Sequence, residues 1–206
     1  MKRGLLITFE GPDGSGKSTQ VELLKKYLKD RGYEVIFTRE PGGTFIGEKI
    51  RNIILDNKNA DMNAMCEALL YAASRAQLVS EIVKPAINAG KIVICDRFVH
   101  SSIVYQGIAR NLGIERIKGI NDAALDGLEA DLIFMLNISF EEGLKRKALQ
   151  KEFDRLENSG DEFHKNVFLG YEVIGKTYSN INNIDASKDE HLIHEDIIKI
   201  LQSKLN

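Results

Sequence analysis

Residues 11–18 read GPDGSGKS, which fits the pattern GxxxxGK[ST] of a loop that holds a nucleotide's phosphates. Gly11, Gly14 and Gly16 allow the backbone to curl until successive N–H groups converge on phosphate oxygens. The N-terminus of a following helix adds about half a positive charge. Lys17 is placed to neutralise the β and γ phosphates. Ser18 offers a hydroxyl to Mg²⁺, an ion that keeps several of its waters and takes one or two protein oxygens. Pro12, Asp13 and Ser15 complete the loop and Thr19 follows it, so 11–19 form one expected nucleotide-binding run. For a bare GxG, a turn that merely joins a strand to a helix is the plainer reading. Here the full pattern and both flanks argue against it. The cradle specifies a nucleotide and leaves the phosphoryl acceptor open.

Such a loop works only between a strand and a helix. Apolar runs rich in branched residues occur at 5–9, 35–38, 92–95 and 132–137, with a shorter one at 181–184, and they read as buried strands. Between them lie amphipathic stretches, with Val21, Leu24 and Leu28 in one and Leu69, Ala73, Ala76 and Val83 in another, spaced to put one apolar face on a helix. The alternation predicts an α/β fold, a parallel sheet covered by helices on both faces. With three prolines there is no Pro-rich linker, so 1–206 reads as a single domain, its only soft stretch near 150–161.

Ligands of such sheets lie beyond the carboxyl ends of the strands, and these ends carry charge. Arg39-Glu40-Pro41 follows the second run, Asp96-Arg97-Phe98 the third, and a helix with Lys145, Arg146 and Lys147 the fourth. Asp96 suits Mg²⁺ or its waters, and Arg97 beside it would face phosphates. An exposed Asp–Arg loop pair is the bland alternative. Arg39, Arg51, Arg75 and Arg97 all fall in segments facing the same crevice, where planar guanidinium forks suit a phosphate monoester better than lysine does. Tyr71 and Arg75 stand one helical turn apart, an aromatic face beside a fork of donors, able to stack a base and read its edge. From that spacing alone, core packing for Tyr71 and a solvated charge for Arg75 is the better reading.

Composition sets outer limits. The chain has 206 residues, 28 Lys plus Arg against 30 Asp plus Glu, 43% hydrophobic and 28% charged residues, which excludes disorder and collagen. A net charge of -2 leaves no global basic field for nucleic acid, so any anion is held by a local cluster. Cys66 and Cys95 form neither a CxxC pair nor a zinc site and read as buried small hydrophobes of a reduced cytosol. The N-terminal apolar run is too short for a signal peptide or a membrane span, so a soluble intracellular protein is expected. His191 and His194, with no third ligand, read as a solvated face.

ICDRFVHSSIVYQ at 94–106, together with GPDGSGKS, REPGG and Tyr71-x-x-x-Arg75, resembles bacterial thymidylate kinases, and the likeness spans the chain. It implies a nucleoside monophosphate kinase fold with a five-stranded parallel sheet, the reaction ATP plus dTMP giving ADP plus dTDP with Mg²⁺, and a homodimer formed by helix packing. It implies that Asp13 lies near the acceptor sugar and metal, that Arg39, Arg51 and Arg97 hold the dTMP phosphate, and that Glu40 and Pro41 belong to the same substrate loop. Tyr71 takes a position usually filled by Phe, stacking on thymine, and Arg75 would donate to a base carbonyl. Ser101, Ser102 and Gln106 fall among base and sugar contacts, Tyr105 on the position that blocks a ribose 2′-hydroxyl, and Phe98 on one variably aromatic or His. FDRLE at 153–157 resembles the end of the family's lid, within about 146–160, and Asp185 lies in its adenine-side loop. The phosphate loop holds no arginine, which resembles the subgroup whose catalytic cation comes from the lid. That lid is usually richer in arginine, and the bridging cation is open among Arg146, Lys147, Lys151 and Arg155.

Phosphoryl transfer asks a protein mainly for position and charge. On this reading Lys17 and Arg97, with Mg²⁺ near Ser18 and Asp96, keep two polyanions from repelling each other, and a lid cation closes over them. The competing readings are a P-loop kinase for another small acceptor and a P-loop regulatory switch. The chain has no NKxD base-recognition motif of the latter.

Overall fold

Strands β1 (Leu6–Glu10), β2 (Val35–Arg39), β3 (Ile92–Asp96), β4 (Leu132–Asn137) and β5 (Ile181–Asp185) lie parallel in the order β2-β3-β1-β4-β5. The structure, a computed structural model, describes residues 3–147 and 154–205. Four of the strands end on a charged residue, Glu10, Arg39, Asp96 and Asp185, one position beyond the apolar run. In register, Phe9 pairs with Asp96 and Arg39 also pairs with Asp96, so the ends of β1, β2 and β3 are level and open onto one edge.

The central strand β1 is buried throughout, whereas β2 and β5 are edges. The expectation that 35–38 is a fully buried strand is therefore corrected. Phe37 is 41% exposed and carries the ammonium of Lys25 at 4.8 Å from its ring centroid. Helix α1 (Lys17–Lys29) turns Val21, Leu24 and Leu28 onto the sheet as its spacing predicts, beside Ile193, Ile197 and Leu201 of the C-terminal helix, α9 in chain order (Glu190–Leu205). The opposite face is covered by a cluster that includes Ile54, Ile103, Val104, Ile117, Val167, Tyr171 and Ile174.

These covering residues come from α2 (Phe45–Leu55), α3 (Ala64–Leu78), α5 (Val99–Ser102) with its wider π-type continuation Ile103–Ala109, α6 (Ile114–Leu125) and α8 (Asp161–Thr177). A π-type turn, Val79–Val83, leads α3 into α4 (Lys84–Asn88), and α7 (Phe140–Lys147) follows β4.

Helix α3 reverses its expected face. Leu69 is 52% exposed, and Ala73 and Ala76 are exposed as well, while Glu67, Ala68, Ala72, Ser74, Arg75 and Leu78 point inward; Val83, the last residue of the expected stripe, lies beyond α3 and is buried. Apolar spacing finds the inward face only when the interior is apolar. Here the inward polar groups have partners, as where Ser74 Oγ accepts the Gly42 N–H at 3.0 Å. Cys66 shares the outer side and is exposed, correcting the buried reading, while Cys95 on β3 is buried as expected.

Candidate active site

The cradle forms where β1 stops. Gly11 has φ 134°, and a Cβ there would come within 2.5 Å of the Leu136 carbonyl oxygen, so only glycine fits against β4. Gly16, at φ 85°, is the left-handed residue before α1, and no side chain competes for the helix's first N–H groups. Lys17 folds back over the loop, its Nζ donating to the carbonyls of Gly11 at 3.0 Å and Pro12 at 2.9 Å. A cavity of about 440 Å³ opens here, lined by Asp13, Gly14, Gly16, Lys17, Ser18, Thr19 and Asp96 from this side and by Arg39, Arg51, Arg97 and Arg146 from the others. Asp96 Oδ1 is buried without a hydrogen-bond partner, and Ser18 lines the same space. Two such oxygens suit a hard divalent cation, so Ser18 and Asp96 fit Mg²⁺.

Burial, and then the charge of Arg97, push the Lys17 ammonium down from 10.5 to about 8, against the pull of Asp96, Asp13 and Glu10. Since the charged form is the one that draws phosphate, triphosphate binding should take up a proton at higher pH. Its affinity should fall by up to about tenfold per pH unit above 8. Folding stability moves the other way. Between about 8 and 10.5 the unfolded chain holds the proton and the folded one releases it, so the Lys17 share of stability rises with pH. Titration calorimetry in buffers of different ionisation enthalpy, beside urea unfolding across the same range, checks both signs. Proton release on binding would refute the assignment.

A second cavity, about 410 Å³, adjoins the first. It is lined by Tyr71, Arg75, Phe98, Ser101, Ser102, Tyr105 and Gln106, and it shares Asp13, Ser18, Glu40, Arg51 and Arg97 with the phosphate side. Arg97 sits at the junction. Its Nη1 donates to the Gly11 carbonyl (3.0 Å), Ser101 Oγ (3.3 Å) and Tyr171 OH (2.8 Å), and its Nη2 pairs with Asp13. Burial opposes its charge, but Tyr105, Tyr171, Asp13 and Asp96 hold it well above the ordinary guanidinium value. At φ 66° it is a non-glycine residue in the left-handed region, held there by that network. Arg39 reaches Glu48 at 3.1 Å, and Arg51 donates to the Pro41 carbonyl at 2.9 Å. Burial, and then Arg39, lower the pKa of Arg51, so two guanidinium groups face one space that an anion would relieve.

Arg75 is 1% exposed, which excludes the solvated-charge reading. Its Nε and Nη2 clamp Glu40 in a buried ion pair, and its Nη1 bonds Ser102 Oγ at 3.1 Å and Asn121 Oδ1. One Nη2 hydrogen remains without a partner among the described residues, on a side chain that lines the second cavity. Burial pushes the Glu40 carboxyl up to about 7 against the pull of Arg75. Tyr71 lines the same cavity beside Phe98, and Tyr105 is wedged edge-on between Phe163 and Tyr171 with the Arg97 guanidinium 5.2 Å from its ring centroid.

A model of the thymidylate kinase family matches residues 9–197 of the chain. A thymidylate kinase of Finegoldia magna is 48% identical over 200 residues, covering 97% of this chain and 98% of the relative. One of a Thermoanaerobacter species is 47% identical over 204 residues, 98% and 100% of the two chains. The crystal structure of a thymidylate kinase from Ehrlichia chaffeensis superposes with a TM-score of 0.78 at 32% identity, over 97% of this chain and 99% of that one. The chain belongs to the thymidylate kinase family.

In this thymidylate kinase family member, two of the four candidate lid cations, Arg146 and Arg155, have described side chains. Arg146 on α7 lines the phosphate cavity, its Nη1 on the Ala186 carbonyl at 3.3 Å and its Nη2 on Glu142 at 2.6 Å. Arg155 does not face it, which corrects its expected role. It is 6% exposed, its Nε donating to the Ile54 carbonyl at 2.6 Å and its Nη2 to Glu67 at 2.7 Å, because a buried guanidinium takes the nearest buried carboxylate. Lys151 and the middle of the expected lid lie outside the described residues, and Lys147 ends α7. Asp185, assigned to the adenine side, accepts the N–H and hydroxyl of Ser187, which lower its pKa, and it lines a shallow cleft with Pro12 and Asn137.

Sequence reasoning passed over Glu10, Glu67, Asn121 and Tyr171. Glu10 is wholly buried and accepts the Phe98 N–H at 2.9 Å and the Ser101 hydroxyl, fixing the loop that carries Arg97. A charge closing an apolar strand just before the phosphate loop was a readable signal. Tyr171 lies 74 residues from Arg97 and no local pattern announces it. Among the described residues no group of His, Cys, Asp and Glu forms a metal-holding cluster, and His194 packs edge-on to Tyr27.

Proposed function

We propose that the protein transfers the γ-phosphoryl group of ATP to dTMP, giving dTDP on the way to dTTP. One observation carries the reading. The phosphate cavity and the base-sized cavity meet at Arg97 and Asp13, so two nucleotides bound in them present their phosphates to one guanidinium. Lys17 and the loop N–H groups hold the donor, while Arg39, Arg51 and Arg97 hold the acceptor phosphate. Tyr71 stacks on the base, and Arg75 gives its remaining N–H to a base carbonyl. Mg²⁺ held by Ser18 and Asp96 would supply neutralising charge between donor oxygens. Closing Arg146 over the loop would exclude water as a rival acceptor.

A coupled assay with ATP and Mg²⁺ across dTMP, dUMP, UMP, CMP, AMP and thymidine tests the reading. We expect dTMP to be best, with dUMP within about 10- to 200-fold, since one methyl is worth only about 1–3 kcal/mol. UMP should be poorer still, because Tyr105 is wedged by its neighbours and cannot make way for a 2′-hydroxyl. A panel in which any other acceptor exceeds dTMP refutes the assignment.

The same reading makes the enzyme a cytoplasmic homodimer. No described helix is long and apolar enough to cross a membrane. Phe45 (75% exposed), Ile46 and Ile53 of α2 and Leu69 of α3 project outward from two helices that pack together. An apolar face of this kind suits a second copy of the chain. Leu69→Glu should shift sedimentation from dimer to monomer, and an unchanged dimer would exclude this face.

A further inference from the structure

Gln106 lines the acceptor cavity and is 1% exposed. Its amide has two unlike ends, and they are treated differently. Nε2 donates to Glu67 Oε1 at 2.9 Å, whereas Oε1 is buried with no hydrogen-bond partner.

Glu67, on α3 and wholly buried, determines which end points where. Its Oε1 also takes Arg110 Nε at 3.3 Å, and its Oε2 takes Arg110 Nη2 at 3.2 Å and Arg155 Nη2 at 2.7 Å. With N–H donors aimed at both oxygens from three side chains, Glu67 can only accept, so only the NH₂ end of the Gln106 amide can face it. The carbonyl end is left without a partner, on a side chain that lines the cavity. A buried acceptor in that state favours a ligand that brings a donor and penalises one that brings a lone pair.

Among pyrimidines this is a sharp distinction. A 2,4-dione ring, as in thymine or uracil, carries N–H at N3, while cytosine carries a lone pair there. We propose that Glu67 is a positioning residue for base selection: by turning the Gln106 carbonyl toward the acceptor cavity, it makes that cavity demand a ring N–H donor. The inference rests on the reading that this cavity takes a pyrimidine monophosphate. Glu67, Tyr71 and Arg75 stand at i, i+4 and i+8 on α3, so one helix face orients the amide, stacks the ring and donates to its carbonyl.

The test compares kcat and KM for dTMP and dCMP in the wild type, Glu67→Gln, Glu67→Asp, Gln106→Leu and the Glu67→Gln/Gln106→Leu double variant. An amide at 67 can donate or accept, which frees Gln106 to flip. The dTMP to dCMP ratio of kcat/KM should then fall by about 10- to 100-fold, mainly through a raised KM for dTMP. Glu67→Asp keeps the charge that Arg110 and Arg155 need but draws it back from Gln106. It should lower the ratio too, and it stands in if Glu67→Gln does not fold. Once Gln106 is Leu, adding Glu67→Gln should leave the ratio within about twofold, because the residue through which it acts is gone. A wild-type ratio in whichever Glu67 variant folds, or an equal fall in the Gln106→Leu background, overturns the proposal. A wild type that does not use dTMP overturns the acceptor reading instead.

Discussion

Arg97→Ala should lower turnover with dTMP by about 10³-fold or more while the affinity for ATP holds, because a guanidinium between two phosphates acts chiefly in the transition state. Arg97 is the side chain common to both cavities that is also tied to the phosphate loop, through the Gly11 carbonyl and Asp13. Its removal also relieves Lys17 of a like charge that depresses it. The pH at which ATP binding begins to weaken should therefore move upward from about 8 in the variant. Steady-state assays give the first effect and binding titrations the second. Unchanged turnover would remove Arg97 from the mechanism, and an unmoved midpoint would mean that Lys17 does not feel it.

Arg75→Ala should destabilise the fold by about 3–5 kcal/mol, the usual consequence of leaving a buried carboxylate without its cation. Glu40 is 5% exposed, and Ser102 and Asn121 lose the same donor. The loss should depend on pH with a definite sign. Glu40 already sits at about 7, above its ordinary 4.5, so its folded form prefers the proton and its contribution to stability is lost as pH rises through that window. Without Arg75 nothing pulls it back down. The stability gap between wild type and variant should then be smaller near about pH 5, where only the bonds lost by Ser102 and Asn121 count, and grow toward about pH 8. Urea unfolding at the two pH values measures this, and Glu40→Gln in the Arg75→Ala background should recover part of the loss. A gap independent of pH would show that Glu40 is not the source.

How far the residues announced these roles varies with distance along the chain. The cradle was legible because its donors are backbone groups of neighbouring residues, and Gly11, Gly14 and Gly16 state the required curl directly. Tyr71 and Arg75 were legible as a pair, since one helical turn aligns them, but whether Arg75 faced solvent or the interior was not. That was decided by Glu40, 35 residues away, and Asn121, 46 residues away. Arg155 falls at the end of the lid that the resemblance implies, one of four candidate cations, and Glu67, 88 residues earlier, holds it elsewhere. The α3 stripe failed for a related reason. Leu69, Ala73 and Ala76 have helical spacing, yet the inward face belongs to Glu67, Ser74 and Arg75, whose polar atoms find partners there.

By itself, then, the order of residues determined the strands, the parallel layered sheet, the phosphate loop and the charged strand ends that surround it, all of which follow from local periodicity and backbone freedom. The tertiary structure alone decided which charges are already paired, which face of α3 is buried, and that two cavities share Arg97. The reason is physical: a turn or a strand is settled by neighbouring residues, whereas the state of a buried charge depends on what the folded chain brings within reach of it.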